Sequence, residues 1–147
     1  MREHLAIRPA IPNDAEAMIA CISAAYAPFR TRGVQLPPVE DGIAADIADN
    51  LVWVAEGAEG VCAGIVTIAG NTRFKIANLF VTPKAQGQGL ARKLLHEASA
   101  QARALGYTAM WLTTHVDMKE TITLYHHLGW QEHKRDGNKL YMVLRDL

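Results

Sequence analysis

Apolar residues recur at two different spacings along the chain, and the alternation of these spacings predicts both helices and strands. Residues 5–8 form a short β-rich run that prolines end. Asn13 or Asp14 can cap a helix after this run, and Glu16 stands three residues after Asn13, as in a capping box. The residues expected on the buried face of this helix are Ala15, Met18, Ile19, Ile22 and Tyr26.

The following segment has a different character. Residues 27–39 follow neither spacing and contain three prolines and a glycine, so we expect a loop there. Ile43 and Ile47 stand one helical turn apart, directly after the acidic pair Glu40-Asp41. This spacing predicts a second, short helix.

The remaining patterns predict strands and helices in alternation. Residues 51–56 and 61–69 are β-rich runs joined by the hairpin signature Gly57-Ala58-Glu59-Gly60, and residues 74–81 form a third strand. Leu90 begins an amphipathic helix that Gly106 can end. The later elements are a strand over residues 107–114, a helix over 118–128, and a hairpin of residues 130–134 and 139–144 around Asp136-Gly137. The order βααβββαβαββ predicts one mixed α/β domain over residues 1–147.

Composition narrows the class of protein. The 147 residues include 15 Lys+Arg and 15 Asp+Glu, so no global field draws the chain to nucleic acid or to an anionic membrane. Half of the residues are hydrophobic, which excludes disorder of the whole chain. Cys21 and Cys62 form no disulfide framework, residues 1–4 begin no signal sequence, and no apolar run is long enough for a bilayer. We therefore expect a cytoplasmic protein with no nucleic-acid or membrane partner.

The six histidines do not predict a metal site. His96-Glu97 begins like the HExxH motif, but position 100 is alanine. His126 and His127 are adjacent, so they cannot share one face of a helix. We expect no metal.

The segment with the clearest chemistry is a glycine-rich turn between a strand and a helix, within residues 78–91. Free amide N–H groups at a helix N-terminus attract anions, and glycine lets phosphate oxygens approach without meeting a Cβ. No GK[ST] follows the glycines and the third glycine of GxGxxG is missing, so neither nucleotide motif fits. The pattern that does fit is Q/R-x-x-G-x-G/A, with Gln86, Gly89 and Ala91 in its defined positions.

Together with Leu79-x-Val81-x-Pro83 before the turn, this pattern resembles the acyl-CoA pyrophosphate signature of the GNAT (GCN5-related N-acetyltransferase) family. The segment Leu124-Tyr125-His126-His127-Leu128-Gly129-Trp130 is similar to the LYxxxGF/Y motif of the same family and follows one strand and one helix later. The opening Ile7-Arg8-Pro9-Ala10, followed by Asp14, is also similar to the family's start. The resemblance covers nearly the whole chain.

The resemblance implies a fold and an activity. The fold would be a central mixed, mostly antiparallel sheet flanked by helices. The activity would be N-acetyltransferase, in which an acetyl group moves from the cosubstrate acetyl-CoA to an amine by direct attack in a ternary complex. The acceptor would be a small-molecule or protein amine, and domains of this family often pair as homodimers.

The resemblance also implies the site residues. A bulged strand over residues 76–81 would splay from its neighbour over 107–114, so that its main chain holds the pantetheine arm. Tyr125 would be the catalytic acid that protonates the departing CoA thiolate, and we expect it beside a core face formed by Leu124 and Leu128. The residues implied to bind the cosubstrate are Leu79, Phe80, Val81, Gln86, Gly87, Gln88, Gly89, Leu90 and Ala91.

One departure from the family pattern leaves the chemistry open. The strand over residues 74–81 lacks the carboxylate that often serves as general base. The candidates to accept the proton or to orient a water are Asn78, His115, Glu40 and Asp41. A non-catalytic acyl-CoA-binding sensor or interaction module is therefore the alternative function, and an α/β domain without a CoA site is a third interpretation.

The acceptor side and the later helix carry further hints. Met118 and Thr121 stand where many family members have an Asn that contacts CoA. Phe29, Arg30 and Arg32 can define an acceptor pocket, and a pair of arginines would favour a substrate with a carboxylate or phosphate. The alternative is that both arginines are solvated loop residues.

Overall fold

The computed structural model describes residues 5–36 and 38–147. Residues 1–4 and Pro37, on which part of the expectations above fall, lie outside the described residues. The helices are α1 (Ala15–Thr31), α2 (Ile43–Asp49), α3 (Leu90–Ala104) and α4 (Lys119–His127). The strands are β1 (Ala6–Pro9), β2 (Leu51–Gly57), β3 (Gly60–Ala69), β4 (Phe74–Val81), β5 (Ala109–His115), β6 (Gln131–Asp136) and β7 (Lys139–Arg145).

The strands form one sheet in the order β1-β2-β3-β4-β5-β7-β6. Neighbouring strands are antiparallel except β4 and β5, which run parallel because the connection through α3 returns the chain to the same end of the sheet. The predicted mixed α/β fold with a mostly antiparallel sheet and flanking helices is confirmed.

The sheet separates two hydrophobic cores. On β3, the adjacent residues Ile65 and Val66 belong to different cores, because successive side chains of a strand point to opposite faces. The core containing Ile65 also holds Leu94 of α3 and Tyr125 of α4. The core containing Val66 also holds Met18 of α1, so α1 lies on the opposite face of the sheet from α3 and α4.

A bulge in β4 changes which core its side chains enter. The pairs on either side of the bulge are Thr67–Ile76 and Val66–Asn78, so Ala77 is an extra residue with no partner of its own on β3. Ile76, before the bulge, packs in the α3-side core, whereas Phe80 packs in the α1-side core. The extra residue thus turns the second half of β4 over and points Asn78 and Phe80 toward α1.

β4 also separates from its parallel neighbour at the bulge. Within the described residues, the pairs between β4 and β5 are Phe74–Met110, Lys75–Trp111 and Ile76–Leu112. β5 nevertheless continues to His115, paired on its other side with β7. The end of β4, from the bulge to Val81, therefore has an open edge on the side of β5.

The prediction that a loop begins at residue 27 is wrong, because α1 continues through Pro28 to Thr31. A proline inside a helix removes one N–H donor, and the acceptor left without it belongs to Ala24, which is exposed to water. After Pro28 the chain still closes helical bonds, including Arg32 N–H to the Phe29 oxygen at 3.1 Å. In the part of the chain that the structure describes, no helix, α1 included, has the length and apolar character needed to cross a membrane.

The predicted capping box at the start of α1 is also absent. Asp14 occupies the N-cap position, but its side chain makes no cap bond to the helix. Its carboxylate instead accepts hydrogen bonds from Arg8 at 2.8 and 3.0 Å and from the Ile11 N–H at 2.8 Å. The arginine guanidinium competes successfully for the carboxylate because a charge-assisted, two-pronged bond is stronger than a bond to one amide.

Candidate functional site

A cleft of about 640 Å³ opens where β4 separates from β5. Its walls come from β4, the glycine-rich turn, the start of α3, one face of α4, and the second half of α1. All of the cosubstrate residues implied by the resemblance line this cleft except Gln88, which lines a neighbouring cavity of about 450 Å³. Tyr125 lines the cleft as well, so the fold brings the implied acid and the implied binding segment together.

The main chain of β4 faces the cleft at alternate residues. Beyond the end of β4, the Thr82 N–H donates to the Cys62 oxygen of β3 at 2.9 Å. Because main-chain groups of an extended chain alternate in direction, those of Val81 and Leu79 point away from β3 and toward the cleft. Gln86 Nε2 donates to the Val81 oxygen from that side at 3.3 Å. The open edge can therefore pair with the amide groups of an extended ligand.

The glycine-rich turn presents unused N–H groups to the cleft. Gly87 and Gly89 have φ values of +84° and +75°, which favour glycine, and a Cβ at either would meet open space. The first main-chain bond into α3 runs from Lys93 N–H to the Gly89 oxygen at 3.1 Å. Among the described residues, the N–H groups of residues 87–92 have no acceptor, and those of residues 90–92 belong to the first turn of α3, at the positive end of the helix dipole.

The cations near this turn differ in position. Arg92 lines the cleft beside the free amides, whereas Lys93 is exposed and lies outside the lining. The turn therefore combines free N–H donors, a helix N-terminus and one guanidinium, which suits a phosphate-bearing ligand. With the open, largely apolar edge of β4 next to it, the cleft has the donor set for a pantetheine arm joined to a pyrophosphate.

Tyr125 is the buried residue of α4, with 5% of its surface exposed. The expectation that Leu124 forms the core face is wrong, because Leu124 is 37% exposed at the cleft mouth. The ring of Tyr125 packs edge-to-face on Trp130 at 5.6 Å between centroids, and this aromatic contact favours burial of Tyr125 over its neighbour. Burial raises the pKa of the Tyr125 phenol, so the group is neutral at ordinary pH.

The hydroxyl of Tyr125, a residue that lines the cleft, is free to bond to a ligand. Among the described residues, no side chain or main-chain group lies in hydrogen-bond contact with it. A buried tyrosine hydroxyl is usually bonded to the protein, so this one is available to a molecule in the cleft. Met118 and Thr121, at the start of the same helix, also line the cleft.

A second tyrosine faces the same cleft from α1. The Tyr26 hydroxyl donates to Asn78 Oδ1 at 2.9 Å, and burial raises the pKa of Tyr26 to about 12. Asn78 is 8% exposed, and its Nδ2 has no hydrogen-bond partner among the described residues. The sequence pattern predicted Tyr26 only as a residue of the buried, apolar face of the first helix. The hydroxyl that tyrosine brings to such a face was the one sign that a polar partner would be found there.

Of the two interpretations left open for Arg30 and Arg32, the arginine pair in an acceptor pocket does not form, since neither residue lines the cleft. Arg30 is engaged with Glu40 through two bonds of 2.9 Å, and Arg32 lies over the ring of Phe29 at 4.9 Å. The Arg30 guanidinium holds the pKa of Glu40 at about 2. Glu40 is thus a weak proton acceptor with both oxygens occupied, which argues against it as the general base.

The other base candidates stand apart from the cleft. His115 does not line it, and its Nδ1 accepts the Asp117 N–H at 3.0 Å. Asp41 is exposed and is also outside the lining. Asn78 lies behind Tyr26 and reaches the cleft only through it. For metal binding, residues 5–36 and 38–147 contain no group of three or more His, Cys, Asp or Glu side chains placed to hold an ion.

Solved structures with the same fold were found across nearly the whole chain. The PaiA N-acetyltransferase of Thermoplasma acidophilum, determined in complex with coenzyme A, superposes with a TM-score of 0.82 at 16% identity, covering 97% of this chain and 99% of that one. The ribosomal-protein-S18-alanine N-acetyltransferase of Escherichia coli superposes with a TM-score of 0.80 at 21% identity, covering 97% and 94%. At these identities the likeness concerns the fold.

Sequence comparison gives relatives of higher identity over part of the chain. The uncharacterized N-acetyltransferase YjgM of Escherichia coli is 35% identical over 83 residues, which are 54% of this chain and 50% of that protein. Streptothricin acetyltransferase of Streptomyces lavendulae is 33% identical over 94 residues, which are 62% and 50%. The chain thus spans about half the length of the curated relatives it matches.

The sequence model of the acetyltransferase (GNAT) domain matches residues 48–132. This match begins just before β2 and runs through β4, the glycine-rich turn and Tyr125, so it includes every segment that lines the cleft except the second half of α1. On this match, supported by the shared fold, the chain belongs to the GNAT acetyltransferase family.

Proposed function

We propose that residues 1–147 form a single N-acetyltransferase domain, which moves an acetyl group from acetyl-CoA to an amine by direct attack in a ternary complex. The observation that carries the proposal is the unpartnered Tyr125 hydroxyl, which faces the same cleft as the open edge of β4 and the free amides of residues 87–92. A proton donor for the leaving thiolate and a binding segment for the donor thus share one space.

The donor would lie along β4. The main chain of Leu79 and Val81 would pair with the pantetheine amides. This pairing would replace the hydrogen bond that the Gln86 side chain now donates to the Val81 oxygen. The amides of residues 87–92 and the guanidinium of Arg92 would bind the pyrophosphate. Gln88 would contribute through its main chain, since its side chain lines the neighbouring cavity.

The chemistry requires two proton movements that balance. A neutral amine attacks the thioester carbon, a C–N bond forms, and the C–S bond breaks. Tyr125 gives its proton to the leaving sulfur, and a main-chain N–H of Leu79 or Val81 stabilises the oxyanion. The surplus proton on the new amide nitrogen passes to solvent, from which the Tyr125 oxygen is reprotonated. The products are the N-acetyl amine and CoA thiol.

No side chain is assigned as a general base. Glu40 is engaged with Arg30, and His115 and Asp41 lie outside the cleft lining. The amine would therefore enter in its neutral form, and activity should rise with pH as the fraction of neutral amine rises. The acceptor class is a small-molecule or protein amine, the kinds of acceptor named in streptothricin acetyltransferase and the S18-alanine N-acetyltransferase.

The second candidate is a non-catalytic acyl-CoA-binding module, which the absence of a carboxylate on β4 favours. Thiol release from acetyl-CoA, measured across a panel of primary amines, separates the two functions. N-acetyltransferase activity predicts release that depends on the amine and yields an acetylated product by mass spectrometry. Tight acetyl-CoA binding by calorimetry with no amine-dependent release would favour the binding module instead. Absence of acetyl-CoA binding would exclude both functions.

A further inference from the structure

Asn78 is a buried polar residue whose side-chain amide is only half satisfied within the described residues. It is 8% exposed, and its Nδ2 has no partner among the described residues. Leaving a buried amide donor unpaired costs about 1–3 kcal/mol, so an apolar residue of the same size would suit this position better. Among the described residues, the one bond that the Asn78 side chain makes is to the Tyr26 hydroxyl, across from β4 to α1.

The direction of that bond determines what Tyr26 offers to the cleft. The hydroxyl donates its hydrogen to Asn78 Oδ1 at 2.9 Å, and its oxygen keeps lone pairs that can only accept. Tyr26 and Tyr125 both line the cleft, from α1 and α4 respectively. One tyrosine therefore presents an acceptor and the other, whose hydroxyl is unpartnered, can present a donor.

We propose that Tyr26 and Asn78 form the seat of the acceptor amine. Asn78 holds the hydrogen of the Tyr26 hydroxyl, and the Tyr26 oxygen accepts a hydrogen bond from an N–H of the neutral amine. This bond orients the nitrogen lone pair toward the thioester. Tyr26 contacts the substrate, whereas Asn78 is a positioning residue that acts through Tyr26.

The walls beside Tyr26 indicate the body of the amine. Phe29, Met118 and Leu124 line the cleft there. Two charged residues stand beside them, and each has a partner: Arg30 of α1 is bonded to Glu40, and Glu120 of α4, which also lines the cleft, lies 3.8 Å from Arg32. The pocket therefore suits a primary amine on an apolar or aromatic body better than a polyamine or an acidic amino acid. This inference rests on the proposed N-acetyltransferase function.

The test measures acetyl transfer to three acceptors in separate assays. 2-Phenylethylamine represents amines with an aromatic body, spermidine represents polyamines, and glutamate represents acidic amino acids. Tyr26→Phe should raise the KM for 2-phenylethylamine about tenfold, which is the effect expected from the loss of one hydrogen bond. The dissociation constant for acetyl-CoA should stay within about twofold of the wild-type value. Asn78→Leu should raise the same KM by a similar factor. The double variant should be no worse than Tyr26→Phe alone, because the two residues act as one unit.

Two controls separate this role from a structural one. Tyr141→Phe removes a hydroxyl from β7, outside the cleft lining, and should leave the KM unchanged. Thermal unfolding of Asn78→Leu should occur close to the wild-type temperature, because removal of the unpaired donor offsets the loss of the bond to Tyr26. A lower melting temperature with an unchanged amine KM would overturn the proposal, and so would additive effects of the two substitutions.

The outcomes for the wild-type protein also distinguish this inference from the proposed function. Transfer to spermidine or glutamate with none to 2-phenylethylamine would overturn the acceptor assignment and leave N-acetyltransferase activity standing. No transfer to any amine, with acetyl-CoA bound, would count against the proposed function itself.

Discussion

The ring of Phe80 on β4 lies directly over Gly64, its partner residue on β3. A Cβ on Gly64 would come within 2.5 Å of the ring carbon Cζ, closer than real Cβ contacts allow. Phe80 is buried in the α1-side core and also lines the cleft. The absence of a side chain at residue 64 therefore sets the position of one wall of the site.

Gly64→Ala should push the Phe80 ring toward the cleft. The expected destabilisation is about 1–3 kcal/mol, typical of overpacking, with weaker acetyl-CoA binding. Chemical denaturation and calorimetry check the two effects. Gly42→Ala is the matched control, since the nearest atom to its Cβ would lie at 3.9 Å. If the clash is the cause, adding Phe80→Leu should restore much of the lost stability; no recovery would contradict it.

Gly89→Ala tests the glycine-rich turn. The φ of +75° disfavours alanine by about 1–2 kcal/mol, although no atom lies within 4 Å of the added methyl group. A shift of the turn to relieve this strain would misdirect the free amides, so acetyl-CoA affinity should fall about tenfold or more. Gly106→Ala carries similar strain, with φ +93°, beyond the other end of α3 and outside the cleft. Equal loss of affinity in both variants would contradict a specific role for the turn.

The Arg30–Glu40 pair predicts a pH-dependent contribution to stability. The pKa of Glu40 is about 2, below its ordinary value of 4.5, so its contribution is present above pH 4.5 and is lost as pH falls toward 2. Glu40→Gln should lower the unfolding free energy by about 1 kcal/mol at neutral pH and by less near pH 3, in urea titrations. Glu59→Gln, at an exposed hairpin position, should have little effect at either pH. An equal loss for Glu40→Gln at both pH values would rule out the ion pair as the cause.

The local patterns predicted the helices and strands well, because most elements supply one of two cores through their periodicity. Met18 and Ile22 of α1 and Leu94 and Ala98 of α3 are buried as their spacing requires. The predicted end of α1 was wrong because Pro28 was expected to break the helix. At Pro28 the broken bond faces water, so the helix continues.

Only those parts of the site that lie within local sequence motifs could be predicted. The glycine pattern and Tyr125 are local in sequence, and the fold brings them to one cleft. The Tyr26–Asn78 bond joins residues 52 positions apart, and the Arg30–Glu40 pair forms only because α1 runs three residues past Pro28. Such contacts depend on how α1 lies over β4, which no local pattern encodes. The same holds for the bulge at Ala77, which decides the face that Asn78 occupies.

The wild-type pH profile follows from the burial of Tyr125. Burial raises the phenol pKa above its ordinary value of 10, so the acid stays protonated throughout the usual working range. Activity should therefore rise with pH as the amine loses its proton and then level off, with no fall below about pH 10 from loss of the acid. A decline that begins near pH 8 and disappears in Tyr125→Phe would show that the phenol titrates lower than its burial allows.

The most direct test of the account is the turnover of Tyr125→Phe in the amine-dependent thiol-release assay. The change keeps the ring that packs on Trp130 and removes a hydroxyl with no protein partner among the described residues, so folding and acetyl-CoA affinity should be unchanged. Turnover should fall about 100-fold or more, the usual contribution of a positioned general acid. Turnover equal to that of the wild type across the pH range, with acetyl-CoA bound equally well, would contradict the assignment of Tyr125 as the acid.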